Sequence, residues 1–130
     1  MTKESSRPNE ILLHKKNRQL ELLYTCKESF SLCFEYLRIS SPSAEVLGHN
    51  LRQEQLQSGK KNVVISKINR VGNYGIQLFF DDDHNSGIYS WEYLRYLSVN
   101  KKVLWSKYLR RLSEESLSRD PTEQVLNFKT

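Results

Sequence analysis

A chain of 130 residues with a net charge of +5, 38% apolar and 27% charged side chains has the composition of an ordinary packed protein, not a disordered one. That length suits one domain, which buries roughly two-thirds of the surface its unfolded chain exposes without disulfide or metal staples. The opening MTKESSRPNE has no apolar secretory core and no run approaches the ~18 apolar residues of a membrane helix. Cys26 and Cys33 form no C-x-x-C pair, so neither a zinc ribbon nor a disulfide framework is implied, and a cytoplasmic address is expected.

Residues 1–9 are polar, contain Pro8 and are expected to be a flexible tail. Glu10 to His14 (EILLH) and Arg18 to Tyr24 (RQLELLY) are two short apolar segments flanking Lys15-Lys16-Asn17. Leu20, Leu22 and Tyr24 alternate with Gln19 and Glu21, the period of a half-buried strand. Lys27-Glu28-Ser29 reads as a turn, after which Phe30, Leu32 and Phe34 alternate with Ser31 and Cys33. Three such strands joined by tight turns predict an antiparallel meander.

Glu35 to Ile39 fits no single pattern. Ser41-Pro42 predicts a short helix that Gly48 ends, with Ser41 as its cap and Pro42 in its first turn. His49 to Asn62 reads as a connecting loop with Gly59 in a turn, although a short helix over Arg52–Gln57 also fits. Asn62 to Arg70 and Tyr74 to Phe80 predict a second hairpin about Gly72-Asn73, with Tyr74, Ile76, Leu78 and Phe80 on one face. After the polar loop Asp81 to Gly87, Ser90 is expected to cap a helix from Trp91 to Leu97. Asn100 is expected to cap another from Lys101 to Glu114, whose apolar stripe is Leu104, Tyr108 and Leu112 with Trp105 and Leu109. The predicted fold is α+β: an antiparallel sheet of short meander strands and hairpins, with two or three helices packed on it. The domain is placed at residues 10–116, with a second flexible tail over 117–130.

Nucleophilic catalysis requires a Ser, Thr or Cys beside a base and an orienting group, and neither a G-x-S-x-G elbow nor a glycine-rich phosphate loop is present. The richest chemical stretch is Asp81-Asp82-Asp83-His84. Its carboxylates and imidazole could ligate a divalent ion, or could form a solvated turn before a helix. Glu45 and His49, four apart, could share a helical face and donate to the same ion, or lie on the surface. Lys101, Lys102, Lys107, Arg110 and Arg111 give the last helix a basic side, suited to phosphates, to an acidic partner or simply to solvent. His14 carries no assigned role, and both cysteines read as packing or turn residues.

Two stretches are recognisable together. Tyr36-Leu37-Arg38 followed by Ser41-Pro42-Ser43-Ala44-Glu45-Val46 and Gly48-His49 is the first; the second is FDDDHNSGIYSWEYL, from Phe80 to Leu94. Disposed about Val71-Gly72-Asn73-Tyr74, they resemble the small N-terminal domain of gamma-butyrobetaine hydroxylases, nearest to short bacterial stand-alone members. The resemblance spans about Leu12 to Leu112. In the hydroxylases, iron- and 2-oxoglutarate-dependent catalysis resides in a following jelly-roll domain. This chain is expected to stop short of one, and it has no H-x-D/E pair to begin an iron triad.

The resemblance further implies a structural zinc held by three cysteines and one histidine. The histidine matches His84, but the cysteine positions fall at Ser41, Ser43 and about Val46, where hydroxyls and a valine are poor substitutes for thiolates. A rearranged iron or zinc site would draw on His84, His49, Glu45 and Asp83. Similar domains are attached to P-loop ATPases with iron–sulfur clusters, which suggests an accessory role beside iron–sulfur or oxygenase machinery. The expectation is therefore a non-catalytic binding domain, with a protein partner or a homodimer engaged through edge strands or the aromatic turn at Tyr89 and Trp91. A metal-binding protein centred on His84 is the alternative. Nucleic-acid binding is less favoured, and no membrane contact is expected.

Overall fold

The computed structural model describes residues 6–25, 27–42, 56–85 and 87–121. Among these residues the strands form two antiparallel three-stranded sheets, and three helices pack against them. The first sheet contains β1 (Glu10–His14), β2 (Gln19–Leu23) and β3 (Ser29–Cys33), in that order. Leu20 lies between Leu13 and Leu32, and Leu22 between Ile11 and Phe30, so the alternation in β2 turns one leucine face inward. The second sheet contains β4 (Ile65–Val71), β5 (Gly75–Phe80) and β6 (Ile88–Ser90). Gly75 is required where β5 meets β6, because a Cβ there would sit 1.9 Å from the carbonyl oxygen of Tyr89.

Helix α1 (Phe34–Ile39) starts one residue after β3. The alternation expected to carry Phe34 in the strand ends because Cys33 caps the helix: its backbone is extended and its Sγ accepts the Tyr36 N–H at 3.4 Å. The undecided stretch from Glu35 is thereby helical, and Phe34, Glu35, Tyr36, Leu37 and Arg38 are all buried. Helices α2 (Trp91–Val99) and α3 (Lys101–Glu114) follow β6. Ser90 caps α2 as expected, with Oγ accepting from the Tyr93 N–H at 3.1 Å. Asn100 does not cap α3; its side-chain amide donates to the Tyr96 carbonyl at 2.9 Å and closes α2 instead.

One core joins the two sheets and α1 and α2, with Leu20, Leu32, Leu37, Leu78, Leu94 and Tyr89 among its members. Tyr74, predicted to face inward with Ile76, is exposed in the β4–β5 turn. The packed region also extends beyond the boundaries read from composition. Pro8 is buried and the Asn9 N–H bonds the Leu23 carbonyl at 2.7 Å. Downstream, the Ser118 and Arg119 carbonyls accept from Gly59 and Lys61 at 2.9 and 3.0 Å. The short helix expected from Pro42 to Gly48 lies almost wholly outside the described residues, and its proposed cap, Ser41, is fully buried and bonded elsewhere.

Because Leu20 is completely buried at the centre of β2, truncation removes both its burial energy and its contacts. Leu20→Ala is expected to destabilise the protein by about 2–5 kcal/mol, measured as a shift in urea midpoint at constant slope.

Candidate functional site

The two recognisable stretches meet where the end of α1 packs against the β5–β6 loop. Ser41 follows α1 by two residues, and its Oγ lies 2.8 Å from Nε2 of His84, a hydrogen bond between two buried groups. Gly87 leaves the space for it, since a Cβ there would come within 2.2 Å of that Oγ. Tyr89 is fully buried alongside, its hydroxyl donating to the Leu37 carbonyl. Burial pushes the Tyr89 phenol far up, so it remains neutral.

The three aspartates of the loop have separate structural tasks. Asp81 Oδ1 accepts the Val64 N–H at 3.0 Å and so ties the loop to the segment entering β4. Asp82 Oδ2 accepts from Arg38 Nε at 3.0 Å and from Lys60 Nζ at 2.9 Å, while Oδ1 accepts the His84 N–H at 3.3 Å. Burial raises the Asp82 pKa, but Lys60 and Arg38 outweigh it and hold the carboxyl below the usual range. Asp83 occupies the left-handed region at φ 65° and is exposed. The Arg38 side chain is only 4% exposed, and its Nη1 has no hydrogen-bond partner among the described residues.

The same arrangement tests whether a family-type zinc would fit. Of the four positions the resemblance implies, Ser41 and His84 come together, while Ser43 and Val46 lie outside the described residues, as do Glu45 and His49. Two ligands of a tetrahedral zinc at ~2.1 Å stand about 3.4 Å apart; 2.8 Å between Ser41 and His84 is a hydrogen-bond distance, with no room for an ion between them. Asp83 is exposed whereas His84 is buried, and no group of three or more His, Cys, Asp or Glu able to hold a metal ion is found among the described residues. These residues do not fit the zinc.

A second feature, not evident from any single motif, is a cavity of about 250 Å³ between the three helices. Its walls are helical stripes: Tyr36 and Ile39 of α1, Tyr93 and Leu97 of α2, Leu104 and Tyr108 of α3. Lys107 and Arg111, one turn apart on α3, also line it. The sequence showed Tyr108 only as part of an apolar stripe; each helix contributes one stripe, so no local pattern announces the cavity.

The expected aromatic contact surface is corrected here. Tyr89 is fully buried, and Trp91 is buried with its indole N–H donating to the Asn73 carbonyl at 2.9 Å, so both serve the interior. Exposed apolar side chains do occur on α2 and α3, where Tyr96, Val99 and Val103 are 50%, 61% and 70% exposed. Lys102, Lys107 and Arg110 stand beside Val103. Lys101 is committed elsewhere, donating to the Ser31 carbonyl at 2.9 Å. Among the described residues no helix is long and apolar enough to cross a membrane.

Comparison with known proteins follows the same lines. The family described as gamma-butyrobetaine hydroxylase-like, N-terminal, matches residues 11–95. Two proteins with NMR solution structures are each 42% identical to this chain. One covers 95% of it and 98% of its own length at a TM-score of 0.78; the other covers 100% and 99% at 0.75. A crystal structure of a protein of unknown function from Acidithiobacillus ferrooxidans, of the DUF971 family, is 34% identical over 75% of this chain and 98% of its own, at a TM-score of 0.63. No curated protein matches.

Two outcomes are expected of the loop. Asp82→Asn leaves the Arg38 guanidinium buried without its counter-charge and is expected to cost about 2–3 kcal/mol, below the ~3–5 of a fully buried pair because the Asp82 side chain is 27% exposed. A depressed carboxyl stabilises the fold above its unfolded pKa of about 3.9 and loses that contribution as pH falls through the lower folded value. Wild type should therefore lose stability below about pH 4 more steeply than Asp82→Asn in urea titrations at pH 6 and pH 3. Separately, protein purified without chelator is expected to contain no stoichiometric metal and to keep its Tm in EDTA. One equivalent of iron or zinc, lost in His84→Ala, would establish a metal site.

Proposed function

This chain belongs to the gamma-butyrobetaine hydroxylase-like, N-terminal family, and we propose that it works as a non-catalytic binding module for an acidic protein partner. The observation that carries this reading is the surface of α2 and α3, where Tyr96, Val99 and Val103 are exposed and Val103 stands beside Lys102, Lys107 and Arg110. Apolar side chains rimmed by cations complement a partner with an apolar centre and acidic surroundings. A second copy of the chain suits this face poorly, since both surfaces would be cationic. The edge strand β4 is a weaker contact, because exposed Lys67 and Arg70 oppose strand addition. The family resemblance makes iron–sulfur or oxygenase machinery the first place to seek the partner.

The absence of a catalytic role rests on how the reactive groups are spent. Ser41 and His84 are buried against each other. The Cys33 thiol is pushed up by burial, which disfavours the nucleophilic thiolate, and it accepts the Tyr36 N–H as a helix cap.

The test is capture of a partner from nuclease-treated lysate of the host by the immobilised full chain and by its Lys102→Glu/Arg110→Glu variant. Wild type is expected to retain an acidic protein that elutes at about 1 M salt, where the Debye length falls to ~3 Å, and the variant to retain none at unchanged Tm. Equal retention by the variant sinks the assignment of the face. Capture seen only from a parallel lysate left untreated would point to nucleic acid instead.

A further inference from the structure

A sheet edge is a row of unpaired N–H and C=O groups, and proteins blunt such edges because another extended chain can pair with them. Among the described residues four strands stand at edges: β1 and β3 of the first sheet, β4 and β6 of the second. Three of these are guarded. β3 packs against α2 and has its Ser31 carbonyl taken by the Lys101 ammonium at 2.9 Å. β4 carries exposed Lys67 and Arg70 and a register shift between Ile65 and Lys67. β6 is only three residues long. β1 has none of these protections: EILLH holds no lysine or proline, and its pairing with β2 runs from Glu10 to His14 without a shift.

The two faces of β1 differ. Ile11 and Leu13 stand beside Leu22 and Leu20, pack against the core and are only half-buried. The other face carries Glu10, Leu12 and His14, with both end residues exposed. This pattern is complementary to its own reverse. When two β1 strands pair antiparallel about Leu12, Glu10 of each copy faces His14 of the other, Ile11 faces Leu13, and Leu12 faces Leu12. An imidazole across from a carboxylate stabilises the pair. His14 already holds Glu21 of its own chain at 2.9 Å through Nε2, and its second ring nitrogen is available to Glu10 of the other copy. A parallel pair would set glutamate against glutamate, and a slip of one residue would put the apolar face on the wrong side. Lys15 and Lys16 follow β1 in each copy, but the antiparallel register sets the two Lys16 roughly 25 Å apart, well beyond the ~8 Å screening length at physiological salt.

We propose that β1 is a docking edge for a second copy of this chain, the two strands pairing antiparallel about Leu12 to join two three-stranded sheets into one of six. Five residues a side fall short of the ~20–30 of a standard interface, so the dimer is weak, with a Kd on the order of 0.1 mM. The edge uses no residue of the α2–α3 face and does not depend on the partner reading.

The test is sedimentation equilibrium of the full chain from about 0.01 to about 1 mM, with NMR of a mixture of isotope-labelled and unlabelled chains to detect contacts between copies. Wild type is expected to pass from monomer to dimer over this range, with contacts between copies from Ile11 to Leu13 and between the Leu12 methyls. Leu12→Lys sets two ammonium groups against each other and is expected to weaken dimerisation about tenfold at unchanged Tm. Glu10→Lys and His14→Glu are each expected to weaken it about fivefold. The double variant Glu10→Lys/His14→Glu restores opposite charges across the pair and is expected to regain it, a rescue that damage to the fold would not produce. Lys102→Glu/Arg110→Glu is expected to dimerise as wild type does, so failure of the partner face and failure of the edge are read separately. A monomer at about 1 mM, undiminished dimerisation of Leu12→Lys, no recovery in the double variant, or contacts between copies on another face would each overturn the proposal.

Discussion

A helix of six residues with two charges on it has been placed in the interior, and the rest of the molecule is arranged around that fact. Phe34, Tyr36 and Leu37 of α1 supply the core, but Glu35 and Arg38 are buried with them. An ionised group taken out of water costs several kcal/mol unless it is paired and hydrogen-bonded. Glu35 is met by a two-pronged contact from Arg119, at 2.9 and 2.7 Å, and Arg38 by Asp82 at 3.0 Å. One partner comes from the β5–β6 loop and the other from beyond α3. The helix therefore requires both segments to close over it.

That requirement reassigns the most chemical-looking part of the chain. A loop with three aspartates and a histidine suggests a cation from outside, yet the cations of Asp82 come from Arg38 and Lys60 of the same chain. Asp81 anchors backbone, Asp83 makes the left-handed turn, and His84 is directed at Ser41. The Ser41–His84 hydrogen bond joins the two halves of the family pattern, holding loop to helix across 43 residues of sequence. Gly87 is the small residue that lets the hydroxyl approach.

What could be read from sequence divides along the same physical line. The leucines of β2, the β4–β5 hairpin, the Ser90 cap and the bounds of α3 are local, set by alternation, turn residues and helical spacing within a few positions. The start of α1 was hidden because Phe34 continues the apolar alternation of Phe30 and Leu32, and a cysteine is an uncommon cap. Ser118 and Arg119 look like solvated residues in the sequence until their partners, Gly59 and Glu35, are known. Tyr89 and Trp91 looked like an exposed aromatic turn for want of the carbonyls of Leu37 and Asn73 that receive their protons. Of the proposed metal residues, His84 and Asp83 are close in sequence but differ sharply in burial, a distinction the loop's sequence does not carry.

The same division separates binding from catalysis. Catalysis needs reactive groups with room to act and an unfilled bond to offer. At the junction of α1 and the loop such groups are present, but they are spent on one another and screened from water. At the three-helix side, rings and aliphatic side chains border the cavity, and Lys102, Lys107 and Arg110 stand on the surface beside Val103. Pairing α1 spends Glu35, Arg38, Asp82 and Arg119 on one another and leaves Lys102, Lys107 and Arg110 exposed on α3.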